Sequence, residues 1–450
     1  MSKKRQLFGT DGIRGVAGVY PLDPPTVFAI GCALGQWAQK TADGSHAEIV
    51  IGMDTRESGP WIAEMVAGGA AKYGVSVRFA GLVTTPGIAY LTRSRDFVAG
   101  LMISASHNPF QDNGIKVFGH DGYKLPDERE SDLETVIFEV LKNGAEPAPL
   151  TLTVDEGLDA AYVDFLASSF KGTLRGKKLV LDCANGASSH LAPELFERLG
   201  AEVITYSAEP DGRNINLNCG ALHPERLQQA VVELNADAGV AFDGDADRAM
   251  LVSASGKLID GDAMLLICAR ALKAAGKLPG DVVVATVMSN MGLEVALEAD
   301  GIRLDRTPVG DKYVLEEMIR SGAAIGGEQS GHVIFHEYAT TGDGMLTAMR
   351  IFEVMAQTGK GLEELATGLE VYPQRLVNVR VREKKPMSEI PPVMAAIEEC
   401  ESYFHGRGRV LVRYSGTESL ARVMVEGPEL IHVERFAESV AAVLRTELGA

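Results

Sequence analysis

The stretch Ile103–Pro109 places two hydroxyls, an imidazole and an amide directly behind an apolar run, residues 98–102. A buried strand that ends in such a loop presents its side chains at the carboxyl end of the strand, where open α/β sheets bind their ligands. A plain polar turn has the same composition. The loop therefore predicts a hydroxyl nucleophile, Ser104 or Ser106, if other parts of the chain supply partners for it.

A second candidate site follows the apolar stretch Val240–Phe242, where Asp243, Asp245 and Asp247 alternate with small residues. Carboxylates at alternate positions of an extended backbone project to one side, and their mutual repulsion favours a bound cation. Hard oxygen ligands suit Mg²⁺ better than zinc. The stretch does not continue as an EF-hand loop, because its sixth and twelfth positions are Arg248 and Ala254. A solvated acidic turn is the remaining alternative.

The glycine-rich stretch 326–332 carries Glu328, Ser330 and His332, which offer an acceptor, a hydroxyl and a titratable ring. Glycines on both sides allow the backbone to approach a ligand closely. Such a loop is suited to binding the hydroxyl groups of a sugar. A plain glycine-rich turn would look the same, so this stretch alone does not decide between the two.

Two further loops could bind anions. In the stretch 413–418 the Arg413 guanidinium, the Ser415 and Thr417 hydroxyls and the backbone around Gly416 form a candidate phosphate cradle. The stretch lacks the lysine of a P-loop, so it does not imply nucleotide hydrolysis. A surface turn is the alternative.

The N-terminal stretch 8–15 combines three glycines with Arg14, which could lie over an anion, although loops near a terminus are often only flexible. Lys116 lies ten residues beyond Ser106 and could return to the same edge of the sheet. Each loop is a modest signal, but chance makes their combination in one chain unlikely.

The elements that would position these loops follow one repeated pattern: a β-rich run, a polar turn, an amphipathic helix, a glycine and a second β-rich run. Strands alternating with helices indicate crossover units on parallel or mixed sheets. The predicted strand–helix–strand segments are 48–52, 61–73 and 74–77; 178–181, 189–199 and 200–204; and 281–284, 292–299 and 301–304. The tail differs, with strands predicted at 375–381, 409–413 and 420–425 and helices at 390–402 and 430–447.

The chain is too long for a single core, and the repeats divide it into domains. We predict an α/β protein with three related α/β domains on mixed sheets, followed by a smaller C-terminal α+β domain. The predicted domains are 1–154, which contains the serine loop; 155–255, which contains the aspartates; 256–370, which contains the glycine-rich stretch; and 371–450, which contains the cradle. The last segment is electrically neutral, whereas the first 370 residues carry the whole net charge of −18.

Composition excludes several classes of function. A net charge of −18 argues against a nucleic-acid partner, because such proteins need basic surface to displace counterions. No window of apolar residues is long enough to predict a membrane span. The five cysteines are scattered without a CxxC pair, which is typical of free thiols in a reducing compartment. We therefore expect a cytoplasmic protein.

At this point the motifs resemble a known family. Along its whole length the chain is similar to the α-D-phosphohexomutase superfamily, and within it to the bacterial branch that acts on glucosamine phosphates. The resemblance rests on residues 8–15, the Ser-Ala-Ser-His-Asn-Pro loop, residues 243–248, the Gly-Glu-Gln-Ser-Gly-His loop at 327–332 and the Ala-Thr-Thr-Gly-Asp-Gly run at 339–344. The cradle departs from the family pattern at Ser419, where a proline is frequent.

The resemblance implies a four-domain enzyme with a central cleft that interconverts glucosamine 6-phosphate and glucosamine 1-phosphate, an amino-sugar phosphate reaction that supplies UDP-N-acetylglucosamine and cell-wall synthesis. Phosphorylated Ser106 would transfer its phosphoryl group to the substrate through a sugar 1,6-bisphosphate, with Ser104 as a supporting residue. The implied ligands of one Mg²⁺ are Ser106, Asp243, Asp245 and Asp247.

The resemblance also assigns roles to the other loops. The implied catalytic set is Ser106, His107, Arg14, Lys116, Arg248 and His332, some of which would act as general acid and base. The implied substrate-binding set is Glu328, Ser330, Arg413, Ser415, Gly416 and Thr417. The protein would be a monomer or a homodimer, with no nucleic-acid or membrane partner.

Three alternatives remain at this stage. A phosphomannomutase/phosphoglucomutase would use the same machinery on another sugar. A magnesium-dependent sugar phosphatase would use similar parts but would not need a separate cradle for a second phosphate. A sugar-phosphate sensor without catalysis would be expected to lack the nucleophile or a metal ligand, and here Ser106 and all three aspartates are present.

Overall fold

The computed structural model describes residues 5–9, 11–44, 46–415 and 419–449, whose strands form four sheets. The first sheet has six strands in the order β1-β2-β6-β5-β3-β4. Its strands β3, β4 and β5 are mutually parallel, whereas β6 runs antiparallel to β5 and β2. The elements of this part are β1 (Phe8–Gly9), β2 (Gly12–Val16), α1 (Pro24–Thr41), β3 (Glu48–Met53), α2 (Gly59–Ala71), β4 (Ser76–Leu82), α3 (Thr85–Ser94), β5 (Ala99–Ile103), β6 (Asp112–Gly119) and α4 (Asp127–Lys142).

The second sheet repeats this plan with five strands in the order β11-β10-β9-β7-β8. Strand β7 is parallel to both β8 and β9, and β10 runs antiparallel to β9. The elements are α5 (Gly157–Ser169), β7 (Lys178–Asp182), α6 (Ser188–Arg198), β8 (Glu202–Tyr206), α7 (Glu225–Glu233), β9 (Ala238–Phe242), β10 (Ala249–Ser253) and β11 (Leu258–Ile259).

The third sheet has four strands in the order β13-β12-β14-β15, with β12 parallel to β14 and β14 antiparallel to β15. The elements are α8 (Gly261–Ala274), β12 (Val282–Thr286), α9 (Met291–Ala299), β13 (Arg303–Thr307), α10 (Asp311–Ser321), β14 (Ile325–Gly327), β15 (Val333–Phe335), α11 (Gly344–Thr358) and α12 (Leu362–Leu365).

The fourth sheet is antiparallel, in the order β16-β18-β17. Its elements are β16 (Gln374–Arg380), α13 (Pro391–Phe404), β17 (Arg409–Tyr414), β18 (Leu420–Glu426) and α14 (Leu430–Leu448). Mixed sheets in the first three parts and a small α+β sheet at the end confirm the predicted fold class. Across the described residues, no helix combines the length and the apolar character that crossing a membrane would require.

Contacts divide the chain into two compact units, residues 1–288 with 304–367, and residues 289–303 with 368–450. Within the second unit, the Met291 N–H donates to Glu426 Oε1 at 3.1 Å. The Asn290 side chain accepts from the Tyr372 N–H at 2.9 Å and donates to the Tyr372 carbonyl at 3.0 Å. Helix α9 therefore groups with the C-terminal residues, although it precedes the predicted boundary at 370. The four domain boundaries stay predictions.

The second strand of each repeat begins two residues later than predicted. Gly74, Gly200 and Gly301 have φ angles of 75°, 99° and 66°, in the left-handed region that L side chains rarely adopt. A residue in that conformation turns the chain, so these glycines end the preceding helical segment and do not open the strand. Strands β4, β8 and β13 accordingly begin at Ser76, Glu202 and Arg303.

The three site loops of the first unit occupy equivalent positions in their sheets. The serine loop (residues 104–111) joins β5 to β6, the aspartate loop (residues 243–248) joins β9 to β10, and the sugar loop (residues 328–332) joins β14 to β15. Each loop thus follows a strand that is parallel to the first strand of its repeat and precedes an antiparallel partner. All three loops lie at carboxyl ends of parallel strands, as predicted for a binding edge.

Helices α1 and α2 support the first sheet through glycines that let their backbones touch. A Cβ at Gly31 would lie 2.1 Å from the Val66 carbonyl oxygen, and one at Gly69 would lie 2.3 Å from the Phe28 carbonyl oxygen. Backbone atoms cannot move aside as a flexible side chain can. A side chain at either position therefore forces the two helices apart.

We predict that Gly31→Ala destabilises the protein, even though alanine is the better helix former. Overpacking of this kind costs about 2 kcal/mol, which should lower the melting temperature by several degrees in differential scanning calorimetry. The control is Thr41→Ala at the exposed end of the same helix, which should change the melting temperature little. An unchanged or higher melting temperature for Gly31→Ala would show that the helices are not in close contact.

Candidate active site

Ser106 is held in an unusual backbone conformation inside the serine loop. It is 2% exposed and has a φ angle of 52°, which is uncommon for a residue other than glycine. Its N–H donates to Ser104 Oγ at 2.9 Å, and the Ser104 hydroxyl donates to Asp54 Oδ2 at 2.6 Å. Ser104 is therefore engaged with the backbone and with Asp54, whereas the Ser106 hydroxyl is directed elsewhere.

The Ser106 hydroxyl meets the aspartate loop. It donates to Asp243 Oδ2 at 2.5 Å. Asp243, Asp245 and Asp247 are all buried, and one carboxylate oxygen from each lies within 4.8 Å of the others. The structure thus brings together the four residues for which the sequence predicts a shared metal ion.

Gly244 allows the two loops to approach. A Cβ at this position would lie 2.5 Å from the Ser106 carbonyl oxygen. The glycine between the first two aspartates is therefore required by the close packing of the serine loop on the aspartate loop.

The charge of the triad is incompletely balanced by the protein. Burial and the charges of Asp247 and Asp245 raise the pKa of Asp243 to about 8. Burial also acts to raise the pKa of Asp247, but Lys116 and His332 hold it well below its usual range. The Oδ1 atoms of Asp245 and Asp247 are buried without a hydrogen-bond partner. Clustered, buried carboxylate oxygens that accept no hydrogen bond fit a hard divalent cation such as Mg²⁺.

Lys116 lies on β6 and is 1% exposed. Its Nζ is 2.8 Å from Asp245 Oδ2, 3.2 Å from Asp11 Oδ2 and 3.5 Å from Asp247 Oδ2. Burial alone would lower the pKa of Lys116, but Asp11 and Asp245 raise it well above its usual range. The ammonium group therefore stays protonated and acts as a fixed positive charge at the site.

His107 has the opposite environment. Its Nδ1 is 3.4 Å from Ser106 Oγ. Burial, together with the positive charges of Arg248 and Arg14, lowers the pKa of His107 to about 4. The imidazole is therefore neutral near pH 7 and can exchange hydrogen bonds without carrying charge.

Three charged residues that the sequence did not single out complete the site. Lys124 Nζ donates to Asp11 and, at 2.6 Å, to Asp311 Oδ2. Asp11 also accepts from Arg14. Asp11 lies inside the N-terminal stretch 8–15, so its position in that motif could have identified it as a site residue. Lys124 and Asp311 belong to no motif, and only the fold shows that they meet.

In the sugar loop, Glu328 is oriented by the backbone and by its neighbour. Glu328 Oε1 accepts the Gly310 N–H at 3.1 Å, and Oε2 accepts the Ser330 hydroxyl at 3.4 Å. The Glu328 N–H donates to the His332 carbonyl at 2.9 Å. Glu328 and Ser330 are thus adjacent and presented by one tight loop.

His332 is 2% exposed and has a defined tautomer. Its Nε2 accepts the Gly342 N–H at 2.9 Å, so the proton of the neutral ring is on Nδ1, 3.7 Å from Asp247 Oδ1. Burial acts to lower the pKa of His332, but Asp247 and Asp311 raise it. Protonating Nε2 would also break the bond from Gly342.

The Ala-Thr-Thr-Gly-Asp-Gly run supports two of these loops. Beyond its bond from Gly342 to His332, the Gly344 N–H donates to the Ala246 carbonyl in the aspartate loop at 3.0 Å. Asp343 caps α11 by accepting the Leu346 N–H at 2.9 Å. The run therefore joins the sugar loop to the aspartate loop.

A cleft of about 400 Å³ opens onto this cluster. Six of the predicted site residues line it: Arg14, His107, Asp247, Arg248, Glu328 and His332. Its walls therefore carry cations, a neutral imidazole and carboxylates close to the Ser106 hydroxyl. Such a surface is suited to a phosphorylated, hydroxyl-rich ligand.

The cradle belongs to the second unit and is described by itself. Arg413 is on β17, and the Ser415 N–H donates to the Leu420 carbonyl at 2.8 Å. Lys384, which the sequence did not single out, donates from Nζ to the Ser415 carbonyl at 2.6 Å. Gly416 and Thr417 lie outside the described residues, so their predicted role stays a prediction.

Four family models match the chain in order. They are those of phosphoglucomutase/phosphomannomutase alpha/beta/alpha domain I at residues 5–143, domain II at 160–256, domain III at 260–372 and the C-terminal domain at 376–443. The chain therefore belongs to the phosphoglucomutase/phosphomannomutase family.

Within this family the chain is similar to bacterial proteins named phosphoglucosamine mutase. The protein of that name from Solibacter usitatus is 63% identical over 445 residues, covering 99% of each chain. The one from Koribacter versatilis is 51% identical over 454 residues, covering 99% of this chain and 98% of its own. These similarities agree with the branch that the sequence motifs indicated.

Solved structures share the fold at lower identity. A phosphoglucomutase/phosphomannomutase family protein from Burkholderia thailandensis matches with a TM-score of 0.79 at 24% identity and covers 99% of both chains. An N-acetylphosphoglucosamine mutase from Aspergillus fumigatus, solved with GlcNAc-6P and magnesium, matches with a TM-score of 0.68 at 20% identity, covering 98% of this chain and 96% of its own.

We predict that Mg²⁺ stabilises the protein through the triad. At a concentration one hundred times its dissociation constant, a single bound ion adds roughly 2.7 kcal/mol to the free energy of unfolding. Thermal melting with and without Mg²⁺ should therefore show a clear shift for the wild type and little shift for Asp245→Asn. The control Asp96→Asn changes an exposed carboxylate and should keep the full shift. Equal shifts in all three proteins would place the ion elsewhere.

We also predict that His107 does not titrate near pH 7 in the free protein. Its imidazole resonances, assigned in NMR spectra by comparison with His107→Gln, should move with a midpoint near pH 4. Arg248→Met removes one of the charges that oppose protonation, so the midpoint should rise in that variant. A wild-type midpoint between pH 6 and 7 would contradict the assigned environment.

Proposed function

We propose that this enzyme, an isomerase of the phosphohexomutase type, interconverts glucosamine 6-phosphate and glucosamine 1-phosphate. The observation that carries the proposal is the position of the Ser106 hydroxyl, 2.5 Å from Asp243 in a buried carboxylate triad beside the cleft. The bacterial relatives named phosphoglucosamine mutase support the choice of sugar.

In this proposal, Ser106 carries the phosphoryl group. The phosphorylated serine donates its phosphoryl group to one hydroxyl of the substrate, which gives a sugar 1,6-bisphosphate. The bisphosphate reorients, and its other phosphoryl group returns to Ser106. The net reaction moves the phosphate between the two ends of the sugar and leaves the serine phosphorylated as before.

Asp243, Asp245 and Asp247 would hold Mg²⁺ together with the phosphorylated serine. When bound, the ion supplies positive charge that offsets the negative charge of the transferring phosphoryl oxygens. The unpartnered Oδ1 atoms of Asp245 and Asp247 support this assignment. Lys116 adds a fixed cation on the same side, because its pKa is raised well above neutrality.

The remaining cleft residues would position the substrate. Arg14 and Arg248 offer guanidinium groups that bind phosphate oxygens, and Glu328 with Ser330 offers acceptors and a donor for sugar hydroxyls. The Arg14 guanidinium is already bound to Asp11, and the Glu328 carboxylate accepts the Gly310 N–H at 3.1 Å, so ordering these two side chains on binding costs little rotamer entropy. In the second unit, Arg413, Ser415, Gly416 and Thr417 are proposed to bind the phosphate that is not reacting.

The surroundings of Lys116 and His332 restrict the roles that these residues can have in proton transfer. Phosphorylated Ser106 has no hydroxyl proton to lose, whereas the attacking sugar hydroxyl loses one, and that proton ends on the Ser106 oxygen from which the phosphoryl group departs. Lys116 is a poor base because its pKa is raised. His332 has Nε2 occupied by Gly342, which leaves its Nδ1 proton directed at Asp247. Lys116 therefore acts as a fixed cation beside the reacting groups, whereas His332 directs its one ring proton at Asp247.

We predict that kcat/KM is higher for glucosamine 1-phosphate than for glucose 1-phosphate or mannose 1-phosphate. One pocket contact discriminates by about 100-fold at most between such similar sugars, so side activities should be measurable. Coupled assays with all three substrates and added 1,6-bisphosphate test this. A preference for mannose or glucose phosphate would assign the enzyme to another branch of the family.

The role of Ser106 is tested by Ser106→Ala, which should abolish isomerisation and phosphate incorporation while leaving the melting temperature nearly unchanged. Ser94→Ala, at the exposed end of α3, is the matched control. An active Ser106→Ala protein would refute the phosphoserine mechanism. Steady release of inorganic phosphate by the wild type without isomerisation would identify a phosphatase instead.

A further inference from the structure

Arg56 is the largest fully buried side chain in the described part of the protein, and every group it binds serves the serine loop. Its Nε donates to Asp54 Oδ2 at 2.9 Å. Its Nη2 donates to the carbonyls of Ser106 and Asn108, both at 2.9 Å. Its Nη1 donates to the Asp112 carbonyl at 2.9 Å and to the Pro109 carbonyl. One guanidinium thus binds three carbonyls of the serine loop and the carbonyl of Asp112, the first residue of β6.

Asp54 links Arg56 to the start of the serine loop. It is 0% exposed, it accepts from Arg56, and it accepts from the Ser104 hydroxyl that in turn receives the Ser106 N–H. Ser106 is therefore held at its N–H through Ser104 and at its carbonyl through Arg56. The backbone of Ser106, whose φ angle is 52°, is thus fixed on both sides by one buried ion pair. Arg56 binds the carbonyl directly, and Asp54 acts on the N–H through Ser104.

A second side chain binds the same carbonyls from a different part of the chain. Asn216 lies in the segment between β8 and α7, and its Nδ2 donates to the Ser106 carbonyl at 2.9 Å and to the Asn108 carbonyl at 3.2 Å. Two carbonyls that flank His107 therefore each accept from both Arg56 and Asn216. Arg56 follows β3 of the first sheet and Asn216 follows β8 of the second, so the two donors come from separate parts of the first unit.

We propose that Arg56 and Asn216 form a two-sided clamp that positions Ser106 for phosphoryl transfer. A buried ion pair contributes little to stability relative to apolar side chains of the same size. A left-handed non-glycine residue costs further free energy and persists only where its surroundings over-determine it. The clamp supplies those surroundings, and it fixes the direction of the Ser106 side chain toward the triad.

The clamp has consequences for rate that differ from those of a purely structural contact. Neither Arg56 nor Asn216 lines the cleft, so neither should affect how tightly substrate binds. A carrier displaced by about 1 Å loses on the order of 100-fold in transfer rate. The clamp matters in this way only if Ser106 carries the phosphoryl group, so it rests on the proposed function.

The test is a double-mutant cycle on Arg56→Lys and Asn216→Ala. Each single variant should lower kcat by about 10- to 100-fold while KM changes less than about threefold, because transfer geometry and not binding is altered. Because both residues hold the same carbonyls, the double variant should lose at least fivefold less activity than the product of the single losses. Arg129→Lys and Asn143→Ala, at exposed positions of α4 and its C-terminal end, are the matched controls and should keep wild-type kcat.

A second measurement follows the carrier directly. Each protein is phosphorylated with glucosamine 1,6-bisphosphate bearing labelled phosphate, and transfer from Ser106 to added sugar phosphate is timed in a single turnover. The clamp variants should accept label but transfer it more slowly. If Arg56→Lys does not fold, Asn216→Ala alone decides through its kcat and KM.

The clamp is overturned by unchanged kcat in folded variants, or by a double variant whose loss lies within fivefold of the product of the single losses. A lowered melting temperature with normal transfer would likewise show a structural role only. Failure of the proposed function looks different, because the wild type itself would then take up no label at Ser106.

Discussion

The site depends on the burial of three carboxylates beside one serine hydroxyl. Negative charge in a low-dielectric interior is costly, and burial together with the charges of Asp247 and Asp245 raises the pKa of Asp243 to about 8. Lys116 and the guanidinium of Arg248 offset part of this charge. The backbone N–H of Arg248 also donates to Asp243 Oδ1 at 3.2 Å. In the proposed function, this remaining charge is balanced by a divalent cation. Of the three aspartates, Asp247 lines the cleft.

Much of the fold and of the site could be predicted from the sequence, because both depend on local patterns. Apolar strands of four to six residues and amphipathic helices gave the repeats nearly at their observed bounds. The aspartates and Ser106 were recognisable because each follows such a strand, and open α/β sheets bind ligands at the carboxyl ends of their strands. The positive φ angles of Gly74, Gly200 and Gly301 were not anticipated, so three strands were predicted two residues too early.

The rest could not be predicted, because it depends on which distant segments meet. Lys124 and Asp311 are 187 residues apart and carry no motif, yet they form an ion pair at 2.6 Å. Arg56 has the appearance of a surface arginine in a polar turn, and only the structure shows it to be buried beneath the serine loop. Helix α9 follows its strand as in the other repeats, but its contacts are with the C-terminal residues. Side chains that bind residues far away in the sequence leave no periodic pattern in the sequence from which the contact could be predicted.

The equivalent placement of the serine, aspartate and sugar loops has a consequence for how such a protein can change. Each loop fills the same connection, between a parallel strand and its antiparallel neighbour, while the sheets below keep their own cores. In the proposed function, the same connection therefore serves three chemistries: covalent transfer, cation binding and recognition of hydroxyl groups. On that proposal, substitutions in the sugar loop would alter substrate preference while the serine and aspartate loops, which move the phosphate, stay as they are.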